Sequence, residues 1–278
     1  SMRFVRDPAK MASSFMPAVT NYLAKDYEAG YQNWACAQGS NGEMYFGNSQ
    51  GLLVYDGYRW TLHKVPGNHI VRSVYVKEDR IYVGAFEEFG YFKYSEAGTL
   101  RYHSLSKFLK NFPMENNEIW NIVELDGRIY FQSFSAWFSY DGKMVHAFRN
   151  RQQQPLYFYT QSGHIYTQMI DEEFYEFDGK DFLHLFPRSQ VNDDNVVALL
   201  PDGDDSFLMV TENNGLFRYN GDITPWKTDI DAELKKQRVN RAVMTNDSIF
   251  MIGTVLNGIY AIDRKGHCLW HLNQDNRQ

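Results

Sequence analysis

Gly215-Leu216-Phe217-Arg218-Tyr219-Asn220-Gly221 opens on a glycine, runs as a short apolar and aromatic strand, and stops at an Asn-Gly turn. Versions of it recur as Gly51-Leu52-Leu53-Val54-Tyr55-Asp56-Gly57, Gly90-Tyr91-Phe92-Lys93-Tyr94 and Ala136-Trp137-Phe138-Ser139-Tyr140-Asp141-Gly142. Glu173-Phe174-Tyr175-Glu176-Phe177-Asp178-Gly179 and Gly258-Ile259-Tyr260-Ala261-Ile262-Asp263 complete the set. Their first residues, 51, 90, 136, 173, 215 and 258, are 39, 46, 37, 42 and 43 positions apart. A unit of strands recurring at about 40–45 residues marks a β-propeller, in which each repeat is one blade.

Around each copy the sequence reads as four strands, A to D, with the motif as strand C. Strand A is a short apolar run, at 34–37, 71–76, 119–125, 156–159, 196–200 and 239–244. Asn41-Gly42, Asp126-Gly127, Ser162-Gly163 and Asp202-Gly203 follow it. Such pairs signal hairpins, because both central turn positions favour φ > 0. Strand B is the Ile-Tyr-Val-Gly-like run, as in Ile81-Tyr82-Val83-Gly84 and Phe250-Met251-Ile252-Gly253. Strand D is fainter, at 60–63, 100–103, 144–148, 182–186, 224–228 and 268–272, as befits the outermost, most solvated strand. A lone four-stranded meander leaves both faces bare. Packing blade on blade covers them and leaves only short edges.

The expected fold is therefore all-β: a β-propeller with six complete four-stranded antiparallel blades over 31–272, an N-terminal segment 1–30 and a tail 273–278. The pattern Val19-x-x-Tyr22 resembles a strand D. It predicts a spare N-terminal strand and a seven-bladed ring of which this chain is a part. Apolar residues at 105, 108, 109 and 112 predict a helix capped by Ser106, and residues 229–236 a second one.

The composition narrows the function classes. Aromatic residues are 16% of the 278, with 19 Tyr and 20 Phe, which suits half-buried strands. The net charge is -6 with no basic block, so no nucleic-acid surface is expected. No apolar run reaches the roughly 18 residues of a membrane helix, so no direct membrane contact is expected. Two cysteines, Cys36 and Cys268, make neither a disulfide framework nor a zinc cluster. Ser1 ahead of Met2 reads as an expression remnant, with a leader peptide expected upstream.

No catalytic, phosphate-loop or calcium-loop pattern is present. The eight histidines are dispersed. His267 and His271 share a strand face but lack a third ligand, so neither a metal nor a cofactor is expected. Carboxylates gather instead between strands B and C: Glu87-Glu88, Asp171-Glu172-Glu173 and Glu212. These loops meet at one end of a propeller, where carboxylates bind cations or sugars or serve acid–base chemistry. The start of strand A faces the same mouth and aligns Trp34, Arg72, Trp120, Tyr157, Val197 and Asn240, with Arg241 next. Aromatic rings stack on the apolar face of a sugar while Arg and Asn supply hydrogen bonds. The candidate ligand-binding set is thus Trp34, Arg72, Glu88, Trp120, Tyr157, Asn240 and Arg241, with no catalytic residue.

Asn214-Gly215-Leu216-Phe217-Arg218-Tyr219, and Ile252-Gly253-Thr254 with Asn257-Gly258-Ile259-Tyr260, resemble the two-component regulator propeller repeat. Gln32-Asn33-Trp34-Ala35 and Glu88-Phe89-Gly90-Tyr91-Phe92 continue the likeness in the first two blades. It covers about residues 30–272. Blades three and four depart from it, with Gln132 and Gln168 for the strand-B glycine and Ala136 and Glu173 for the strand-C glycine. The resemblance implies a periplasmic sensor ectodomain of an inner-membrane protein, non-catalytic in itself. Its ligand would be a small molecule or oligosaccharide. Neighbouring propeller and β-sandwich domains and a homodimeric partner are expected, and a histidine kinase or DNA-binding output lies elsewhere in such proteins. The alternatives are a propeller enzyme, a polysaccharide lyase or glycosidase using Glu88 and Glu172, and a protein-binding scaffold.

Overall fold

The computed structural model describes residues 33–273 apart from 115, 134, 150–154, 162, 170–172, 204 and 245–247. Among the described residues the chain forms six four-stranded antiparallel sheets, each a meander in sequence order. The first comprises β1 (Asn33–Gln38), β2 (Met44–Asn48), β3 (Gly51–Tyr55) and β4 (Trp60–His63). The second comprises β5 (Val71–Lys77), β6 (Arg80–Ala85), β7 (Glu88–Tyr94) and β8 (Leu100–Ser104). The third comprises β9 (Asn121–Leu125), β10 (Arg128–Gln132), β11 (Trp137–Tyr140) and β12 (Val145–Phe148). The fourth comprises β13 (Pro155–Gln161), β14 (His164–Met169), β15 (Glu173–Phe177) and β16 (Phe182–Pro187). The fifth comprises β17 (Val196–Pro201), β18 (Phe207–Thr211), β19 (Leu216–Tyr219) and β20 (Ile223–Trp226). The sixth comprises β21 (Val239–Met244), β22 (Phe250–Thr254), β23 (Ile259–Ile262) and β24 (Cys268–Leu272). The strand B and strand D expectations match these bounds to within about two residues. The spare strand around Val19–Tyr22 lies outside the described residues.

The chain divides into two compact units, one of residues 16–158 and one that includes 159–278. Within each, successive blades bury their strand faces against one another. In β18, Leu208 and Val210 pack with Phe250 and Ile252 of the sixth blade, while Phe207 and Met209 pack with Tyr166 and Phe174 of the fourth. In β6, Ile81 and Val83 pack with Tyr45 and Leu52 of the first blade, while Tyr82 turns to Ile129 and Phe131 of the third. The two-residue pleat sends alternate side chains to opposite neighbours. A strand covered on both faces is mainly apolar, which is why most of strand B reads as a hydrophobic run. Strand D is less covered, as in Trp60–His63, where no residue is fully buried.

Position-specific residues join the blades. A Cβ on Gly84 would lie 2.6 Å from the Ile119 carbonyl oxygen and 2.3 Å from Ser73 Oγ, so this glycine admits the close approach of the next blade. Gln132 and Gln168 occupy the equivalent place and join the blades differently. Gln168 Nε2 donates to the Asp194 carbonyl (3.1 Å) and its Oε1 accepts from the Val196 N–H (3.2 Å). Gln132 Oε1 accepts from the Phe158 N–H (2.9 Å) and from Asn121 Nδ2 (3.0 Å). The departure from the glycine pattern is thus a change from contact to hydrogen bonding.

The turn ending the repeat motif is closed the same way three times. Asp56 Oδ1 accepts from the Arg59 and Tyr58 N–H groups, Asp141 Oδ1 from Met144 and Lys143, and Asp178 Oδ1 from Asp181 and Lys180, all at 2.7–2.9 Å. An aspartate that satisfies two turn donors, followed by glycine at positive φ (Gly57, Gly142 and Gly179), makes a self-sufficient connection. Tyr55 and Tyr140 add hydroxyl donation to the Gly57 and Gly142 carbonyls, at 2.9 and 3.0 Å.

The helix expected at 105–112 is instead a 3-10 turn over Ser106–Phe108. Ser106 does not cap it, because its hydroxyl is directed to the Glu88 carboxylate. Phe112 and Leu109 are drawn into the blade two and three core. The second expected helix forms as α1 (Asp231–Lys236), with Leu234 fully buried.

Candidate functional site

In an antiparallel meander the start of strand A, the end of B, the start of C and the end of D share one end of the blade. Within each blade the B–C hairpin and the D–A connection therefore lie together, and most candidate residues stand at this end of their own blade.

Their placement follows from a repeated irregularity. Opposite β6, Val71 pairs with Ala85 and Ser73 with Gly84, so Arg72 is an extra residue. The same register shift makes Trp34 extra between Asn33 and Ala35, Val197 between Val196 and Ala198, and Asn240 between Val239 and Arg241. Each is a β-bulge at the start of strand A, the edge of its sheet. A bulge leaves its residue out of the ladder and re-aims the side chain. The aligned sequence positions are thus one structural device in four blades. Trp120 stands one residue before β9, its N–H donating to the Gln132 carbonyl at 3.1 Å. The side chains of Trp34 and Tyr157 lie outside the described residues.

In the unit of residues 16–158, Arg72 Nε donates to Glu118 Oε1 at 2.7 Å, both side chains partly exposed. Glu118 bridges Phe86 in the B–C hairpin of blade two. The neighbouring Asn117 accepts on its carbonyl from the Glu87 N–H (2.7 Å) and on Oδ1 from Ser133 and Ser135 hydroxyls (2.9 and 2.8 Å). Glu87 Oε1 accepts in return from the Asn116 N–H at 2.9 Å. Arg72 and Trp120 therefore lie on either side of one pinned connection.

Glu88 is directed elsewhere. It is 8% exposed, and its carboxylate accepts from Ser104 Oγ at 2.6 Å and from Ser106 Oγ. Burial first, and then the Glu88 charge, push the neighbouring Tyr102 phenol far up. Glu88 holds the end of strand D and the following turn against strand C, with both carboxylate oxygens engaged.

In the unit that includes 159–278, Asn240 is exposed and Arg241 half-buried at the start of β21. Beside them is a polar network not included in the candidate set. Glu212 receives Arg238 Nε on Oε1 at 2.5 Å and Asn195 Nδ2 on Oε2 at 2.9 Å. Its backbone N–H donates to the Asn195 carbonyl, and its carbonyl accepts from the Val239 N–H, both at 2.9 Å. Arg188 Nη2 donates to Asn195 Oδ1 at 2.7 Å and Arg188 Nε to the Asp194 carbonyl at 2.8 Å. Asp194, 7% exposed, accepts on Oδ2 from the Asn213 N–H and from Asn214 Nδ2, both at 2.7 Å. Glu212-Asn213-Asn214 stood out in the sequence as a B–C loop. Arg188 and Asp194-Asn195 did not, because they lie in a connection without repeat character.

No protein-family profile matches the chain, and no curated protein matches it. Solved structures do. The extracellular domain of BT4673 from B. thetaiotaomicron, described once as part of a hybrid two-component system and once as part of a one-component system, superposes with a TM-score of 0.66 at 18% identity. The first of these matches covers 90% of this chain and 34% of that one. The chain thus spans about a third of that ectodomain's length. Virginiamycin B lyase from Staphylococcus aureus gives 0.67 at 12% identity, covering 90% and 86% of the two chains. YCF48 bound to D1 peptide gives 0.63 at 9%, covering 87% and 81%. The fold is a β-propeller of four-stranded blades. No helix among the described residues is long and apolar enough to cross a membrane.

Proposed function

We propose that this chain is an extracytoplasmic ligand-sensing propeller of a two-component regulator and that its ligand is a saccharide. The observation that carries this reading is the bulge at the start of strand A, which presents Arg72 and Asn240 out of their ladders at the loop-bearing end of their blades. Planar guanidinium and amide groups, the first of them paired with the Glu118 carboxylate, match the paired hydroxyls of a sugar. The likeness to a two-component ectodomain supports the sensing role. Location in the periplasm, a histidine kinase output, a homodimeric partner, a β-sandwich neighbour and a spare strand near Val19 that completes a seventh blade belong to the same reading. Signalling requires that the ligand bind two states of the protein with different affinity. Isothermal titration of an oligosaccharide panel against the intact ectodomain tests it. Saturable binding that weakens about tenfold in Arg72→Ala or Asn240→Ala is expected. Absence of both saturable binding and a ligand-induced change in dimerisation across the panel counts against it.

The lyase likeness favours a second reading, catalysis at the same end. Glu88 and Glu212 are both engaged by neighbouring side chains, an arrangement that orders loops and supports binding over proton transfer. Turnover of a polysaccharide that is lost in Glu212→Gln would reverse that preference.

A further inference from the structure

At the opposite end of blades one and two, where the A–B turns lie, is a cavity of about 170 Å³. Cavities of roughly 150 Å³ admit a molecule the size of benzene. The ring walls are Tyr45 of β2 and Tyr94 of β7. Both hydroxyls donate to one oxygen, Glu43 Oε2, at 3.0 and 2.5 Å, and Asn41 Nδ2 donates to Tyr45 at 3.5 Å.

The tyrosine hydroxyls and three turn N–H groups around this cavity are already committed, while the Ser40 hydroxyl also lines it. The turn N–H groups of Gly39, Gly42 and Glu43 bond to the Glu43 and Gly39 carbonyls and to Asn41 Oδ1. The two tyrosine protons point to Glu43. Burial first, and then Glu43, hold Tyr94 protonated far above its usual range. What remains on the wall is mostly acceptor capacity: the carboxylates of Glu78 and Asp79 and the tyrosine oxygens, with the Glu43 carboxylate behind the tyrosine hydroxyls. One cation, Lys93, stands on the wall and pairs with Asp79 at 3.4 Å. The other cations of that turn are directed to blade three, Lys77 to Glu124 at 2.7 Å and Arg80 to the Tyr140 hydroxyl at 3.2 Å.

We infer that this cavity is a binding site for a small organic cation, a guanidinium or alkylammonium group seated between Tyr45 and Tyr94 with its N–H donors on the Glu78 and Asp79 side chains. Two carboxylates on the wall and the Glu43 carboxylate behind the tyrosines, against one ammonium, attract positive charge, and aromatic faces hold a cation that retains apolar surface. A neutral molecule of the same shape finds few donors, and an anion meets repulsion. Specificity here rests on charge.

Ethylguanidinium and n-butylammonium, titrated into the intact chain with aromatic proton resonances as the readout, test this against n-butanol and propionate. Saturable shifts of Tyr45 and Tyr94 are expected with the two cations, with affinity at least about tenfold below theirs for the other two. Asp79→Asn, at a side chain 65% exposed, leaves the core untouched and weakens the cations several-fold. Lys93→Gln strengthens them. Equal affinity for n-butanol, or no saturable shift with either cation in a chain whose unfolding curve is normal, overturns the proposal. The outcome is independent of glycan sensing, because the two sites are at opposite ends of the blades.

Discussion

Arg72 and Asn240 hold the same structural place in two different blades: each is the extra residue of a bulge opposite the end of strand B, next to Gly84 and Gly253 respectively. Outside the ladder, neither is required for strand pairing. Arg72 forms a partly exposed ion pair with Glu118, and such pairs are worth about 0–1 kcal/mol. Arg72→Ala and Asn240→Ala are each expected to shift stability by less than about 1 kcal/mol. Urea unfolding at neutral pH checks this. A larger loss would make these residues part of the scaffold and would confound their use as binding probes.

Gln168 is the converse case. Its side chain is 3% exposed and satisfies a carbonyl and an N–H of the next blade. Gln168→Ala strands the Val196 N–H in a buried seam, at a cost of about 1–3 kcal/mol, while the Asp194 carbonyl keeps its bond from Arg188 Nε. A lowered urea midpoint with an unchanged slope is the expected result. An unchanged midpoint would mean that the seam closes without the amide.

The three aspartate turns predict how stability follows pH. Hydrogen bonds from the Arg59, Met144 and Asp181 N–H groups, each with a second turn donor, hold the Asp56, Asp141 and Asp178 carboxyls below their usual range. The folded-state pKa values thus lie below the unfolded value of about 3.9. Their contribution is fully present above that pH and is lost as pH falls through the folded values. Replacing all three by Asn keeps an acceptor oxygen but removes the titration. The variant is expected to lose stability less steeply than the parent below about pH 4. Unfolding midpoints across that range read the difference, and parallel profiles would refute the assignment.

Much of the fold was legible because blades repeat their physics. Strand B is covered on both faces, so it is apolar at most positions, and the Asp-Gly turns close themselves from local residues. Both signals are local in sequence and recur in successive blades. The helix expected at 105–112 failed for the opposite reason. Its apolar spacing was real, but Ser106 turned to Glu88, a partner 18 residues away, and a distant hydrogen bond overrode the local cap.

The candidate site divides along the same line. Alignment of the repeats found Arg72 and Asn240, since a bulge recurring at one place in the blade leaves a column in the sequence. Glu88 lay in the right loop, yet its side chain is held by strand D, and only tertiary contacts set that direction. The network of Arg188, Asn195, Glu212 and Arg238 is assembled from a connection and a hairpin of the fifth blade and the approach to the sixth. Among the described residues the order of the strands was determined by the sequence alone, through periodic burial. Which polar side chains meet was decided by the tertiary structure, because hydrogen bonds and ion pairs depend on distances between residues that the sequence keeps far apart.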